Sequence, residues 1–250
     1  MRTYSLIIAS ILTIGLLTSC DNSTVDPEGK LNLSLESSVG DAPFVKNQKY
    51  TNAAGFEYSL EGFRFYISDI SLMKEDGGEE LVEGTWYFDA GGDWDNSDIN
   101  FPTGRYNGMK FFIGVPEDQN LGNPAVYESG DALSIRRGMH WSWSVGYIFI
   151  KVDGLIDSAG TQKGLIYHIG GNDAYKQMTL NSEAFEITDG GTIDFVMDLD
   201  IAKVFEGEGE TVNMVEENLT HSVPGDDRQK ALSTKVRDRF MEYALTKKPF

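Results

Sequence analysis

Cysteine is almost absent from this chain: Cys20 stands alone in 250 residues. No disulfide can form within the molecule, and no site built on several thiolates is possible. Histidine is nearly as scarce, at three residues. Positive charge is also short, with 21 Lys and Arg against 39 Asp and Glu and a net charge of −18. A field of that sign repels nucleic acid and anionic lipid, so no nucleic-acid partner is expected. The familiar catalytic signatures are missing as well. There is no GxSxG elbow, no glycine-rich phosphate cradle and no HExxH. A binding protein rather than an enzyme is therefore expected.

Long apolar runs are confined to one place, Leu6 to Leu17. That run is shorter than the roughly 20 apolar residues needed to span a bilayer as a helix. With Arg2 before it, it reads as the core of a secretion signal. The run closes on Leu17-Thr18-Ser19-Cys20, which resembles the bacterial lipobox, where cleavage precedes the cysteine and its thiol is acylated. The expected organisation is a signal peptide at 1–19, a lipidated polar tether at 20–30 and one domain at 31–250. Removing 1–19 deletes Arg2 and no acid, which takes the net charge from −18 to −19. Because a single acyl chain binds membranes only marginally, the two or three chains of a lipoprotein cysteine are what would make Cys20 a durable anchor. The expected location is the cell envelope, at the outer membrane, on its periplasmic or surface face.

What is abundant is glycine, 27 residues, punctuating short apolar runs. Leu31, Leu33 and Leu35 alternate with polar residues, as do Phe63, Phe65 and Ile67, and the second pattern resumes at Ile70 and Leu72 with its phase shifted after Ser68-Asp69. Further strands are predicted at 86–89, 109–115, 141–152, 165–169, 177–180, 184–187 and 192–199. Glycine-rich turns such as Asp76-Gly77-Gly78 and Asp189-Gly190-Gly191 separate them. The predicted fold is all-β, an antiparallel, Greek-key-like β-sandwich with a C-terminal helix. A short helix is expected at 200–205. The terminal helix is expected to be capped by Asp226 or Asp227, with Leu232, Val236 and Phe240 on one face and Lys247 and Lys248 at its C-terminal end.

Three groups of residues could carry chemistry. Asp89, Asp93, Asp95 and Asp98 crowd one loop, an arrangement that could hold calcium but that departs from the EF-hand pattern. His140, His168 and His221 are the only side-chain nitrogens of the type that copper and zinc favour. The segment Trp141-Ser142-Trp143, followed by Gly146-Tyr147-Ile148-Phe149, would place Trp141, Trp143, Tyr147 and Phe149 on one face if it formed a regular strand, with His140 on the other. Exposed tryptophans could instead stack on sugars, with Trp86 and Trp94 flanking the acidic loop.

The stretch Gly138 to Gly154, GMHWSWSVGYIFIKVDG, resembles the GMxWxWxxGYxFxxxxG signature of the MbnP-like copper-binding family. Agreeing with it in order are Val39-Gly40 through Tyr50-Thr51-Asn52, Phe63 to Ile70, Tyr167-His168-Ile169-Gly170-Gly171, and His221-Ser222-Val223-Pro224-Gly225. The resemblance implies a β-sandwich that binds one copper ion. It further implies that Trp141 or Trp143 is converted to kynurenine by a di-haem peroxidase of the MauG type, the new aryl amine joining the histidines as a ligand. His168 and His221 are the first choices among those histidines, with His140 third. Met109, Met139 or Met178 could add a thioether. The competing expectation is a metal-free envelope adhesion or carbohydrate-binding module whose tryptophans are core or sugar platforms.

Overall fold

The phase shift read after Ser68-Asp69 is a bulge in the longest strand of the molecule. In the computed structural model, which describes residues 26–92, 98–142, 146–209, 211–223 and 225–250, Asp69 has φ 53° and the pairing register slips between Ser68 and Ile70. The strand continues through it. The described strands are β1 (Glu28–Val39), β2 (Ala42–Pro43), β3 (Lys49–Thr51), β4 (Glu57–Lys74), β5 (Glu79–Asp89), β6 (Asp98–Pro102), β7 (Gly104–Ile113), β8 (His140–Ser142), β9 (Gly146–Ser158), β10 (Thr161–Gly170), β11 (Lys176–Ile187), β12 (Thr192–Asp200), β13 (Leu219–His221) and β14 (Leu245–Lys247). The helices are α1 (Glu117–Asn120), α2 (Ile201–Phe205) and α3 (Asp227–Arg239). The signal segment and Cys20 lie outside the described residues. β1 begins at Glu28, inside the segment expected to be tether. Among the described residues no helix is long and apolar enough to cross a membrane.

Two sheets form. The smaller runs β14-β12-β1-β2, with β6 also on β1; the larger runs β11-β7-β4-β9-β10-β13, with β3 and β5 on the other edge of β4 and β8 on β9. Along one edge β4 pairs first with β9, through 58–65, and then with β7, through 67–74. The sandwich stands, but its sheets are mixed rather than wholly antiparallel, because β1 pairs with β12 and β10 with β13 in parallel. Parallel neighbours need a long crossover, and here the chain from Gly170 to Leu219 supplies one. Alternation sends Leu31, Leu33, Leu35, Phe195, Met197 and Leu199 from the small sheet into the same core as Phe63, Phe65, Ile150 and Val152 from the large one.

The short helix is capped by Asp200, whose side chain accepts from the Ala202 N–H, and α3 by Asp226, which accepts from the Gln229 N–H. The C-terminal expectation needs one correction. The helix stops at Arg239, a π turn covers Phe240–Ala244, and Lys247 belongs to β14, paired with Met197, instead of ending a helix. The buried ring of Phe240 explains the turn: it packs 5.6 Å from Phe63 and 5.1 Å from Phe65, and closing that contact takes precedence over continuing the helical ladder.

Candidate metal site

Register brings one line of polar side chains together across five strands. Asp89 of β5 stands opposite Arg64 of β4, Arg64 opposite Lys151 of β9, Lys151 opposite His168 of β10, and His168 opposite His221 of β13. The row lies on the face of the large sheet turned away from the core, and all five side chains are half-buried. The imidazoles of His168 and His221 meet edge to face, with ring centroids 4.9 Å apart and planes at 89°. His168 Nε2 lies 2.8 Å from Asp153 Oδ1. The other carboxylate oxygen faces cations, with Lys151 Nζ at 3.6 Å and an Arg64 guanidinium nitrogen at 3.8 Å.

Charge and burial act in opposition here. Burial alone would raise the Asp153 carboxyl, but the hydrogen bond to His168 and the charges of Lys151, His168 and Arg64 outweigh it and hold the group below the usual carboxylate range. Asp153 is therefore ionised at neutral pH. Burial, aided by neighbouring His168, pushes His221 below the ordinary histidine value against the pull of Asp153. A neutral imidazole is the form that ligates a metal, so His221 is ready to do so without shedding a proton.

The tryptophan motif is not one regular strand. Gly146 has φ 77°, and the chain doubles back so that His140 pairs with Tyr147 and Ser142 with Gly146. The expected shared face of Trp141, Tyr147 and Phe149 is replaced by antiparallel pairing of β8 with β9. A side chain at Gly146 would strike Asn120, whose carbonyl oxygen would stand 2.5 Å from its Cβ. Asn120 is itself buried and accepts from the Tyr147 N–H. Other motif positions have structural duties too. Gly138 is the left-handed cap of a 3-10 turn, Tyr147 donates its buried hydroxyl to the Leu133 carbonyl, and a Cβ on Gly154 would stand 2.2 Å from the Ser59 carbonyl oxygen. Trp143 lies outside the described residues.

Trp141 is the position that packing leaves unexplained. Its Nε1 is buried and has no hydrogen-bond partner among the described residues, and a buried orphan donor costs about 1–3 kcal/mol. The ring lies over Gly170, where a Cβ would stand 3.1 Å from Trp141 Cζ3. Gly170 is two residues, roughly 7 Å, along β10 from His168. It is also bonded through both its N–H and its carbonyl to the hydroxyl of Ser222, the residue after His221. Gly171, at φ 87°, where a Cβ would stand 2.8 Å from Val223 Cγ2, lets the two histidine segments close on each other, and Gly225 sits against the His221 carbonyl oxygen within its own segment.

The remaining expectations fare differently. His140 does not join the pair; it packs edge-on to Tyr147 at 4.8 Å, and burial lowers its pKa. Met109 and Met178 sit on β7 and β11, which follow the C-terminal half of β4, so at about 3.3 Å per residue they are at least about 20 Å along the strands from the histidine row. Met139 is buried in the core. The acidic loop gathers no calcium site from its described members: Asp89 pairs with Lys46 at 2.8 Å and Asp98 with Lys30 at 3.1 Å, while Asp93 and Asp95 lie outside the described residues. Trp86 is buried and offers no platform to a sugar; Trp94 lies outside the described residues. Among the described residues no three His, Cys, Asp or Glu side chains converge as a metal cluster. A cavity of about 610 Å³ between α3 and the Gly170–Ala174 segment is lined by Gly170 and Ser222 but by neither histidine. Sequence reasoning missed Asp153, Lys151 and Arg64. Lys151 and Asp153 sit at alternate positions of β9, and the two-residue loop Ala159-Gly160, with φ 54° and 80°, sets the hairpin register that places them beside His168.

The MbnP family profile matches residues 28–223. A solved structure, MbnP from Methylosinus trichosporium, aligns over 74% of this chain and 80% of its own at 16% identity with a TM-score of 0.49. A search of curated proteins finds no match.

Proposed function

The chain belongs to the MbnP family, and from that premise we propose that it is a copper-binding lipoprotein of the cell envelope that scavenges, stores or delivers a single ion. The observation that carries the reading is the His168–His221 pair, edge to face at 4.9 Å, with the Trp141 ring over Gly170, two residues along β10 from His168, and its buried indole nitrogen without a partner among the described residues. Two imidazoles suit either oxidation state of copper. No three His, Cys, Asp or Glu side chains form a metal cluster among the described residues, and Asp153 is already engaged with His168 and two cations, so a further ligand would come from another kind of group, for which Trp141 is the candidate. Copper here is cargo, and no turnover is assigned to the protein. The anchor would be Cys20, on the strength of the apolar run and the Leu17-Thr18-Ser19-Cys20 motif, and the acidic surface disfavours nucleic acid.

Within this reading Trp141 is oxidised to kynurenine by a di-haem peroxidase. Cleavage of the indole C2–C3 bond inserts two oxygen atoms at the expense of two hydrogen peroxide molecules, which are reduced to water. Hydrolysis then releases formate and leaves an aryl amine and a ketone. A donor-only side chain becomes a possible ligand, which would account for an indole nitrogen buried without a partner among the described residues.

The test is copper content by elemental analysis, with peptide mass mapping, on protein purified from its native host. About one equivalent of copper, lost in a His168→Ala/His221→Ala double variant, supports the site. A mass gain of one oxygen less one carbon on the peptide holding Trp141 and Trp143, localised by fragmentation, supports the kynurenine. Protein that retains no copper after loading and washing overturns the reading.

A further inference from the structure

We propose that Asp153 is the positioning residue of the copper site and that it commits His168 to binding metal through Nδ1. The inference rests on the copper reading above and goes beyond it by assigning the atom. Nε2 of His168 is 2.8 Å from Asp153 Oδ1. With a carboxylate oxygen as the acceptor of this bond, the ring proton sits on Nε2 and the lone pair on Nδ1. A row of cations lines the far side of Asp153, with Lys151 at 3.6 Å and Arg64 at 3.8 Å from Oδ2. These are fixed in turn, Lys151 by a hydrogen bond to the Gly138 carbonyl at 2.9 Å and Arg64 by Asp89 at 3.5 Å. With Nε2 engaged, the nitrogen of His168 left to a metal is Nδ1, and no other hydrogen bond to the ring occurs among the described residues.

Hydrogen-bonded carboxylates of this kind orient the ring and raise its basicity, and losing one costs roughly 10–100-fold in metal affinity. Asp153 is not itself placed as a ligand, because one of its oxygens is bonded to His168 and the other faces two cations. Its contribution passes through the ring of His168.

The experiment is long-range proton–nitrogen correlation NMR of the histidine rings in copper-free and Cu(I)-loaded protein, with Cu(I) affinity measured by competition against a chromogenic chelator. In the loaded protein His168 should keep a proton on Nε2 while the Nδ1 resonance moves. Asp153→Ala should weaken Cu(I) binding roughly 10–100-fold, and Asp153→Asn, which retains an accepting oxygen, should recover part of the loss. A proton on Nδ1 with a metallated Nε2 overturns the assignment, as does an Asp153→Ala variant that binds Cu(I) as tightly as the parent. A loss far beyond a hundredfold, with Nε2 metallated, would make Asp153 a ligand and also overturn it. If no Cu(I) binds at all, the copper reading fails. The copper-free spectrum still tests Asp153, through an Nε2 proton on His168 that exchanges faster in Asp153→Ala.

Discussion

Two neighbouring rows of the large sheet, one residue apart, have nothing in common chemically. Phe88, Phe65, Ile150 and Ile169 face the core and are at most 1% exposed. Asp89, Arg64, Lys151, His168 and His221 form the next row, on the opposite face, and all are half-buried and polar. Alternation of side chains along a strand is what permits this. The strands that build the core also carry the site on their reverse, and each row can change without rewriting the other. The core row is expected to determine stability and the polar row to determine binding, with little crossover.

The sharpest way to break that division is to damage the core row. Phe65 stacks on Phe88 at 5.2 Å and meets Phe240 edge-on at 5.1 Å. Phe65→Ala should cost about 3–5 kcal/mol of unfolding free energy, measured by chemical denaturation. Whatever protein remains folded should bind copper as the parent does. A large loss of affinity under folded conditions would show that the two faces are coupled.

Gly170 sits where the rows meet the tryptophan. A Cβ there would stand 2.4 Å from the Tyr147 carbonyl oxygen, a backbone atom that cannot retreat without opening the β9–β10 ladder, and 3.1 Å from Trp141. Gly170→Ala should therefore destabilise by about 1–3 kcal/mol and shift the tryptophan emission. Gly164, on the same strand, has no atom nearer than 3.4 Å to such a Cβ, so Gly164→Ala should stay within about 0.5 kcal/mol of the parent. Equal effects at the two positions would remove the packing argument for Trp141.

Farther along the same outer face, beyond the bulge, the polar row gives way to a covered aromatic cluster. Tyr175 stacks on Phe112 at 4.6 Å, and its hydroxyl bonds to both Ser68 and Asp69 at 3.0 Å. Burial, with the Asp69 charge adding to it and the Ser68 bond opposing, pushes Tyr175 up to about 12 from an ordinary 10. A group whose folded value is raised stabilises the fold below its unfolded value and ceases to do so as pH climbs through the folded one. Stability should therefore fall between about pH 10 and 12. The phenolate absorbance should show a late step that Tyr175→Phe removes. A parent-minus-Tyr175→Phe difference titration centred near pH 10 would mean that this part of the outer face is open to water.

The core row was the legible one. Leu31, Leu33 and Leu35, and Phe63, Phe65 and Ile67, announce their strands through period-two patterning, and the slip after Ser68-Asp69 announces the bulge. The histidines could be named from the sequence, but their meeting could not. His168 and His221 touch because β13 pairs in parallel with β10 after a long crossover, and nothing local encodes that register. The hairpin partner was within reach, since counting back from Ala159-Gly160 sets Lys151 opposite His168. The tryptophan strand misled for the opposite reason. Its aromatic alternation suggests one continuous strand, while the left-handed Gly146 and the buried Asn120 hold β8 antiparallel to β9.

The smallest expected effect is the most discriminating for the polar row. Lys151 joins two features, a hydrogen bond to the Gly138 carbonyl and an ion pair with Asp153, and its side chain is half-buried. Partly exposed ion pairs are worth about 0–1 kcal/mol, so Lys151→Met, which keeps the length of the stem, should change the unfolding free energy by no more than about 1 kcal/mol. Its effect should fall on the site. With one cation gone, Arg64 alone faces the outer oxygen of Asp153, and the carboxylate loses part of what holds it ionised against burial. Cu(I) affinity should fall, by less than in Asp153→Ala, because the hydrogen bond to His168 survives. A stability loss as large as that of Phe65→Ala would place Lys151 with the core row and dissolve the distinction between the faces. An unchanged affinity would confine the working part of the row to Asp153 and the two histidines.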